Sequence, residues 1–368
     1  MALAPHHPKR TSVNRRPHLL LATSATLALG LLAGCSSDDT PAAPSASGSA
    51  SSTSDTTSGP ATTGPAQGPG DSEVQAAAAA TWLQAQAAAG TVFQTEFDGV
   101  AYDDYGLTAD VVLALLAADQ DDAAQTYAEA LTTDEAVTAY VGDGTTAQYA
   151  GATGKLLAIT EAADLPTTSI GGRDLTAELL ALQTDEGRFS DLGADDYSHT
   201  ISQSWAVAAL ATQDAAPQQA VDYLAAQQCE GAGFPAQLSS SAPADCVSDV
   251  DSTAFAVSAL VVAGTDDDAP VIMQALAWLD SVGAADDAGT SWASADSDGP
   301  SVNSTAVAVS AFEDGDADAS QGIAWLVAQQ VTDGEDAGAF LLADEPDVRT
   351  TAQATVALAG EGLDDLLG

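Results

Sequence analysis

Asp249-Val250-Asp251 places two carboxylates either side of one valine, directly ahead of the apolar phrase Ser252 to Leu260. A carboxyl that burial or a neighbouring carboxylate keeps protonated is the group needed to deliver a proton to an alkene. Asp251 is the candidate acid, with Asp249 alongside. His199 is the other candidate, the one histidine beyond residue 35, beside Tyr197 and near Trp205. It has no evident nucleophile or triad partner, and Gly-x-Ser-x-Gly is absent. Acidic groups recur before other apolar runs, so Asp104, Asp196, Asp249, Asp251, Asp298 and Asp347 would ring one end of a closed repeat array. Such a ring suits a cationic ligand. The plainer reading is helix capping, because carboxylates at helix N-termini are stabilising without any ligand. No residue is assigned as catalytic on this basis, and neither a metal nor a cofactor is expected.

The three cysteines divide by context. Lys9, Arg10, Arg15 and Arg16 precede an apolar run, Leu19 to Ala33, that ends in Leu32-Ala33-Gly34-Cys35. A basic segment, an apolar core and small residues before a cysteine form a bacterial lipoprotein signal, making residues 1–34 the signal peptide and Cys35 the lipid attachment point. The expected location is the cell membrane, anchored by lipid on the extracytoplasmic face. Arg15-Arg16 leaves Sec and twin-arginine export both open. Cys229 and Cys246 remain, and an even pair in an exported domain predicts a disulfide contributing about 2–4 kcal/mol.

Residues 35–72 are Ser, Thr, Pro, Gly and Ala with few bulky apolar side chains, the composition of a disordered tether. The chain carries 53 acidic against 8 basic residues, a formal charge of −45, and half of the basic residues precede Cys35. So acidic a surface repels nucleic acid and anionic lipid heads. Membrane association is expected through the lipid, and other partners would be a small molecule or an envelope protein.

Residues 73–368 must position the candidate side chains, and they are built from repeats. One phrase recurs six times, clearest as Ser252 to Leu260, Ser304 to Phe312 and Thr350 to Leu358; its closing apolar residues, 115, 159, 210, 260, 312 and 358, lie 44 to 52 residues apart. A second phrase, such as Trp82-Leu83-Gln84-Ala85-Gln86 and Trp325-Leu326-Val327-Ala328-Gln329, falls between the copies. Both are Ala- and Leu-rich at helical spacing, without internal proline. The expectation is an all-α domain of six helix pairs, twelve helices, at about 73–89 with 107–118, 121–131 with 147–162, 173–183 with 200–213, 217–228 with 251–263, 270–283 with 302–313, and 318–330 with 349–360. Terminal units that resemble inner ones favour closure of the array into a ring.

A loop motif follows the first helices: Gln183-x3-Gly187-x-Phe189, with looser copies at Gln228 with Gly233-Phe234, Gly289 with Trp292, and Gln330 with Gly338 and Phe340. It resembles the QW-type repeat of the squalene cyclase and protein prenyltransferase β-subunit superfamily, which also includes transcobalamin-like vitamin carriers and complement thioester domains. The resemblance implies an (α/α)6 toroid with the second helices lining the inside. It also implies where each activity would sit. Protonating cyclases carry Asp-x-Asp-Asp, and this chain has Ser252 in the fourth place; such cyclases are further expected to use a second helical domain. Prenyltransferase zinc ligands and the basic diphosphate cluster are missing, with Asp251 where the zinc cysteine would fall. Cys229-Glu230-Gly231-Ala232 lacks the glutamine of a thioester. These readings together predict a non-catalytic binding protein using the toroid cavity or its acidic mouth, with a terpenoid cyclase or isomerase acting through Asp251, or a transcobalamin-like cofactor carrier, as the alternatives.

Overall fold

The computed structural model describes residues 69–87, 90–239, 245–295, 297 and 299–368. Cys35, the signal segment and most of the expected tether lie outside them, as does Asp298.

Six helices form a closed inner ring: α2 (Tyr105–Ala117), α5 (Ala150–Ala162), α7 (Thr200–Ala211), α9 (Val250–Val262), α11 (Val302–Asp314) and α13 (Val348–Ala359). Each packs on the next, and α13 packs on α2. Outside them lie α1 (Pro69–Gln86), α3 (Asp121–Leu131), α6 (Leu175–Ala181), α8 (Gln218–Ala225), α10 (Pro270–Val282) and α12 (Ser320–Gln329). This is the α/α toroid. The inner helices are rich in alanine and apolar around most of their circumference, as helices covered on both sides must be.

Two helices go beyond the expected twelve. α4 (Asp134–Val141) follows α3 because Thr133 caps it, accepting from Ala136 N at 3.2 Å, with Asp134 and Glu135 in its first turn. α14 (Leu363–Leu367) comes after the last repeat. Four small antiparallel ribbons also stand outside the all-helical expectation: β1 (Gln94–Phe97) with β2 (Val100–Asp103), β3 (Phe234–Pro235) with β4 (Ser248–Asp249), β5 (Ala284–Ala285) with β6 (Thr290–Ser291), and β7 (Leu341–Leu342) with β8 (Glu345–Pro346). Each leads into an inner helix. Their extended backbone lets a short loop reverse the chain direction between an outer helix and the inner helix that follows.

The loop motif is a staple between repeats. Gln228 Nε2 donates to Ala232 O in its own loop and to Val271 O of the next outer helix, at 2.8 and 2.9 Å. Gln330 does the same, to Gly338 O at 3.0 Å and to Gln75 O of α1 at 2.9 Å, so the last repeat grips the first as inner repeats grip one another. Gly338 has φ +101°, and a Cβ there would lie 2.4 Å from Ala78 O. Only glycine fits that approach.

The loop aromatics Phe93, Phe189, Phe234, Trp292 and Phe340 are buried. Four of them fix their inner helix by a shared joint: the aromatic backbone N–H donates to Thr108, Thr253, Thr305 or Thr351 Oγ1 at 2.8–3.0 Å. Phe189 N donates to Gln203 Oε1 instead, at 2.8 Å. Cys229 and Cys246 form a disulfide with Cα atoms 5.5 Å apart, joining the two sides of the loop between α8 and α9.

Candidate functional site

The N-terminal ends of the inner helices gather at one mouth of the ring, and three of the acidic residues singled out in the sequence, Asp104, Asp249 and Asp347, lie there as caps. Asp104 Oδ1 accepts from Leu107 N at 2.8 Å, Asp249 Oδ1 from Ser252 N at 2.8 Å, and Asp347 Oδ1 from Thr350 N at 2.7 Å. Ser301 plays that part in α11, and His199 Nδ1 does so in α7 at 3.4 Å from Ser202 N. α5 has no capping side chain of its own. Asp191, from the following repeat, accepts from Ala150 N at 2.8 Å in its place. Asp196 lies in the same loop, bonded to the N–H groups of Asp191 and Ser198 and paired with Arg188 at 3.0 Å. Those partners more than offset its partial burial and hold its carboxyl below the usual range.

These carboxylates occupy separate stations around the mouth. Among the described residues no group of three or more His, Cys, Asp or Glu side chains is arranged to hold a metal ion.

Asp251 differs from them. It is the second residue of α9 and caps nothing, and its Oδ1 is buried without a hydrogen-bond partner. Burial pushes its carboxyl up, Asp249 adds to the rise and the Ser304 hydroxyl opposes it. His199 is driven the other way: burial lowers its imidazole, and Asp191 offsets this in part.

Below the mouth an ion network crosses the seam between α13 and α2. Asp110 pairs with both Lys155 and Arg349, Arg349 Nη2 reaches Asp104 Oδ2 at 3.2 Å, and Lys155 Nζ donates to Gly106 O at 3.2 Å while lying 5.5 Å from the Trp205 ring centroid. The network ties α2 to α5 and α13, the two neighbours that complete the ring. With Arg173 on Glu178 and Arg188 on Asp196, each of the four cations among the described residues is engaged. None is left to meet an anionic ligand.

Inside the ring lies a cavity of about 60 Å³, walled mainly by Leu113, Trp205, Phe255, Val307, Val356 and Leu366. Pockets for small molecules run to roughly 300–1,000 Å³.

The mouth is different again on its outer surface. Among the described residues, apart from Val74 and Met273, every exposed large apolar side chain lies around it: Phe97, Val100 and Tyr102 on the first ribbon, Tyr149, Leu192 and Tyr197 around α5 and α7, then Val247, Val282 at the end of α10, Leu341 and Leu342. Phe97 is 70% exposed and Val247 75%. Tyr197 apart, these residues were not legible in the sequence, since single apolar residues in polar loops carry no periodic signal.

No protein-family model matches the chain, and no curated protein is similar to it in sequence. Solved structures are similar in fold. The apo type II terpene cyclase MstE from Scytonema matches with a TM-score of 0.61 at 16% identity, over 80% of this chain and 98% of that one. Unsaturated glucuronyl hydrolase from Bacillus sp. GL1 matches at 0.53 and 10%, over 78% and 95%. An inactive variant of the α-1,6-mannanase GH76A of Salegentibacter sp. HEL1_6, in complex with α-1,6-mannotriose, matches at 0.52 and 10%, over 81% and 100%. The chain therefore shares the α/α toroid with a terpene cyclase and with glycoside hydrolases. The match spans nearly the whole of that cyclase chain, which therefore carries no second helical domain beside its toroid.

Proposed function

We propose that this protein is a lipid-anchored extracytoplasmic binding protein that engages a partner or small molecule with the rim of its acidic mouth and performs no catalysis. The observation that carries the proposal is the concentration of exposed aromatic and aliphatic side chains on that rim. Apolar groups gathered at one end of so acidic a molecule are costly to leave in water and mark a contact surface. The small axial cavity supports the same choice, because it is too small for most small-molecule ligands. The anchor at Cys35 would hold the toroid at the membrane face, with residues 35–72 as the tether.

Site-specific photocrosslinking on the anchored protein in its host envelope tests this. A benzophenone side chain at Phe97 or Tyr197 should give one discrete adduct, and the same probe at Met273, far from the mouth, should give none. Equal labelling at all three positions, or none at the rim, overturns the proposal. Cys35→Ser should release the protein from the membrane fraction.

A second reading rests on Asp251. Its buried, unpartnered oxygen and raised carboxyl fit the general acid of a terpenoid cyclase, and a type II cyclase shares the fold. Turnover of a geranylgeranylated phenolic acid by the wild type, lost in Asp251→Asn, would establish that reading and displace the first.

A further inference from the structure

The opposite end of the ring holds a feature that neither reading uses. α14 is only five residues long, yet it packs against α2, α5, α9 and α11 of the inner ring. Leu363 and Leu366 form part of the wall of the axial cavity, and Leu367 is buried. The helix is a stopper seated where the inner helices end.

It is held by one polar latch. Asp314, at the last turn of α11, is 8% exposed, and its Oδ1 accepts the backbone N–H of Asp364 at 2.8 Å. Its Oδ2 makes no hydrogen bond that meets normal geometry. Gly362 presses against the latch, where a Cβ would stand 2.1 Å from Asp314 Oδ1. The chain reaches this point through Gly360 in the left-handed region, φ +72°, which turns it back across the end of the ring.

We propose that α14 is a pH-gated plug: ionisation of the Asp314 latch releases it and opens the axial cavity to the C-terminal side of the ring. The electrostatics around the latch all run in one direction. Glu313 precedes it on α11, and Glu361, Asp364 and Asp365 belong to the plug segment. Asp119 follows α2, Asp267 follows α9, Asp318 precedes α12, and the last turn of α5 carries Glu161. No cation faces them among the described residues, since all four are paired elsewhere. The negative ends of the inner helices add to the same field.

Burial, reinforced by Asp364 and Asp365, pushes the Asp314 carboxyl up to about 7, against the opposing Asp364 N–H and Ser258 hydroxyl. Glu313, Glu361 and Asp364 are raised too, each first by burial and then by Asp365. A carboxyl raised in the closed state binds its proton more tightly there than when exposed. Closure is therefore favoured fully in acid and weakened as the pH rises from about 4 through about 7. Between pH 5 and pH 8 the opening equilibrium should shift on the order of a hundredfold.

Hydrogen exchange on the full-length protein reads this directly. Protection factors for residues 363–368, corrected for intrinsic exchange, should fall on the order of a hundredfold from pH 5 to pH 8 while those of α7 stay level. Asp314→Asn keeps a neutral acceptor for Asp364 N–H and should hold protection high at both values. Gly362→Ala should unseat the plug at both, with added fluorescence from the neutral apolar dye Nile red as the cavity opens. Level protection in the wild type, or an Asp314→Asn variant that keeps the pH dependence, overturns the inference. A Gly362→Ala protein that binds no more Nile red than the wild type, with its inner helices still protected, overturns it as well.

Discussion

The two ends of the ring carry the same residue type in opposite circumstances. At the mouth, aspartates stand before the inner helices, accept their free N–H groups and meet the positive end of each helix; some also meet arginine. At the far end, Asp314 and its neighbours stand at the negative ends of those helices with no cation among the described residues. Parallel packing of six inner helices makes this difference unavoidable, because a parallel ring has one face of N–H groups and one of carbonyls. An acidic protein so built is electrostatically satisfied at one face and loaded at the other. Asp251 shows that position alone is not enough: it lies at the favourable end, in the first turn of α9, yet its Oδ1 accepts no N–H and its carboxyl rises.

The largest test of this contrast is to remove charge from the satisfied side. Asp110→Ala leaves Lys155 and Arg349 facing each other across the α2 seam, and should lower unfolding stability by about 3–5 kcal/mol in denaturant titration. A loss below about 1 kcal/mol would mean that the network only decorates the seam. On the loaded side the sign reverses. Asp314→Asn should stabilise the protein at pH 8 by roughly 2–4 kcal/mol and leave it nearly unchanged at pH 4, where the wild-type group is protonated; thermal unfolding across that range would show a flattened curve. Equal effects at both values would break the comparison.

Three further changes sharpen it at the mouth. Cys246→Ser frees the loop between α8 and α9 and should cost about 2–4 kcal/mol at any pH, since it acts through chain entropy. Asp249→Ala should cost about 1 kcal/mol as a lost cap, whereas Asp251→Asn, two residues on, should cost nothing at neutral pH and relieve a buried charge. A matched loss in both would make Asp251 a structural partner of α9 and remove the motive for reading it as an acid.

What could be read in advance follows the range of each interaction. The recurring phrases, the caps and the glutamine-glycine-aromatic loops were legible because each is written within a short run of consecutive residues. Phe93 forms the same joint as Phe234 yet escaped notice, although it stands three residues after Gly90 just as Trp292 stands three after Gly289. The seam network was hidden by distance, Asp110 and Arg349 being 239 residues apart in sequence. α14 was invisible for another reason: five residues hold no helical period, and only the cavity it closes gives it a role. Asp298 and Cys35 fall outside the described residues, and the anchor rests on sequence alone.

The threonine joint has a further consequence. From the loop aromatic to its threonine the chain runs 15, 19, 13 and 11 residues in four repeats, while the bond that ends each excursion is the same. A loop clamped at both ends by fixed sockets can lengthen, shorten or change its tip without shifting the helices beneath it. Selection can thus rewrite what the rim recognises one insert at a time, and an engineer could exchange inserts between repeats, with the frame indifferent to either.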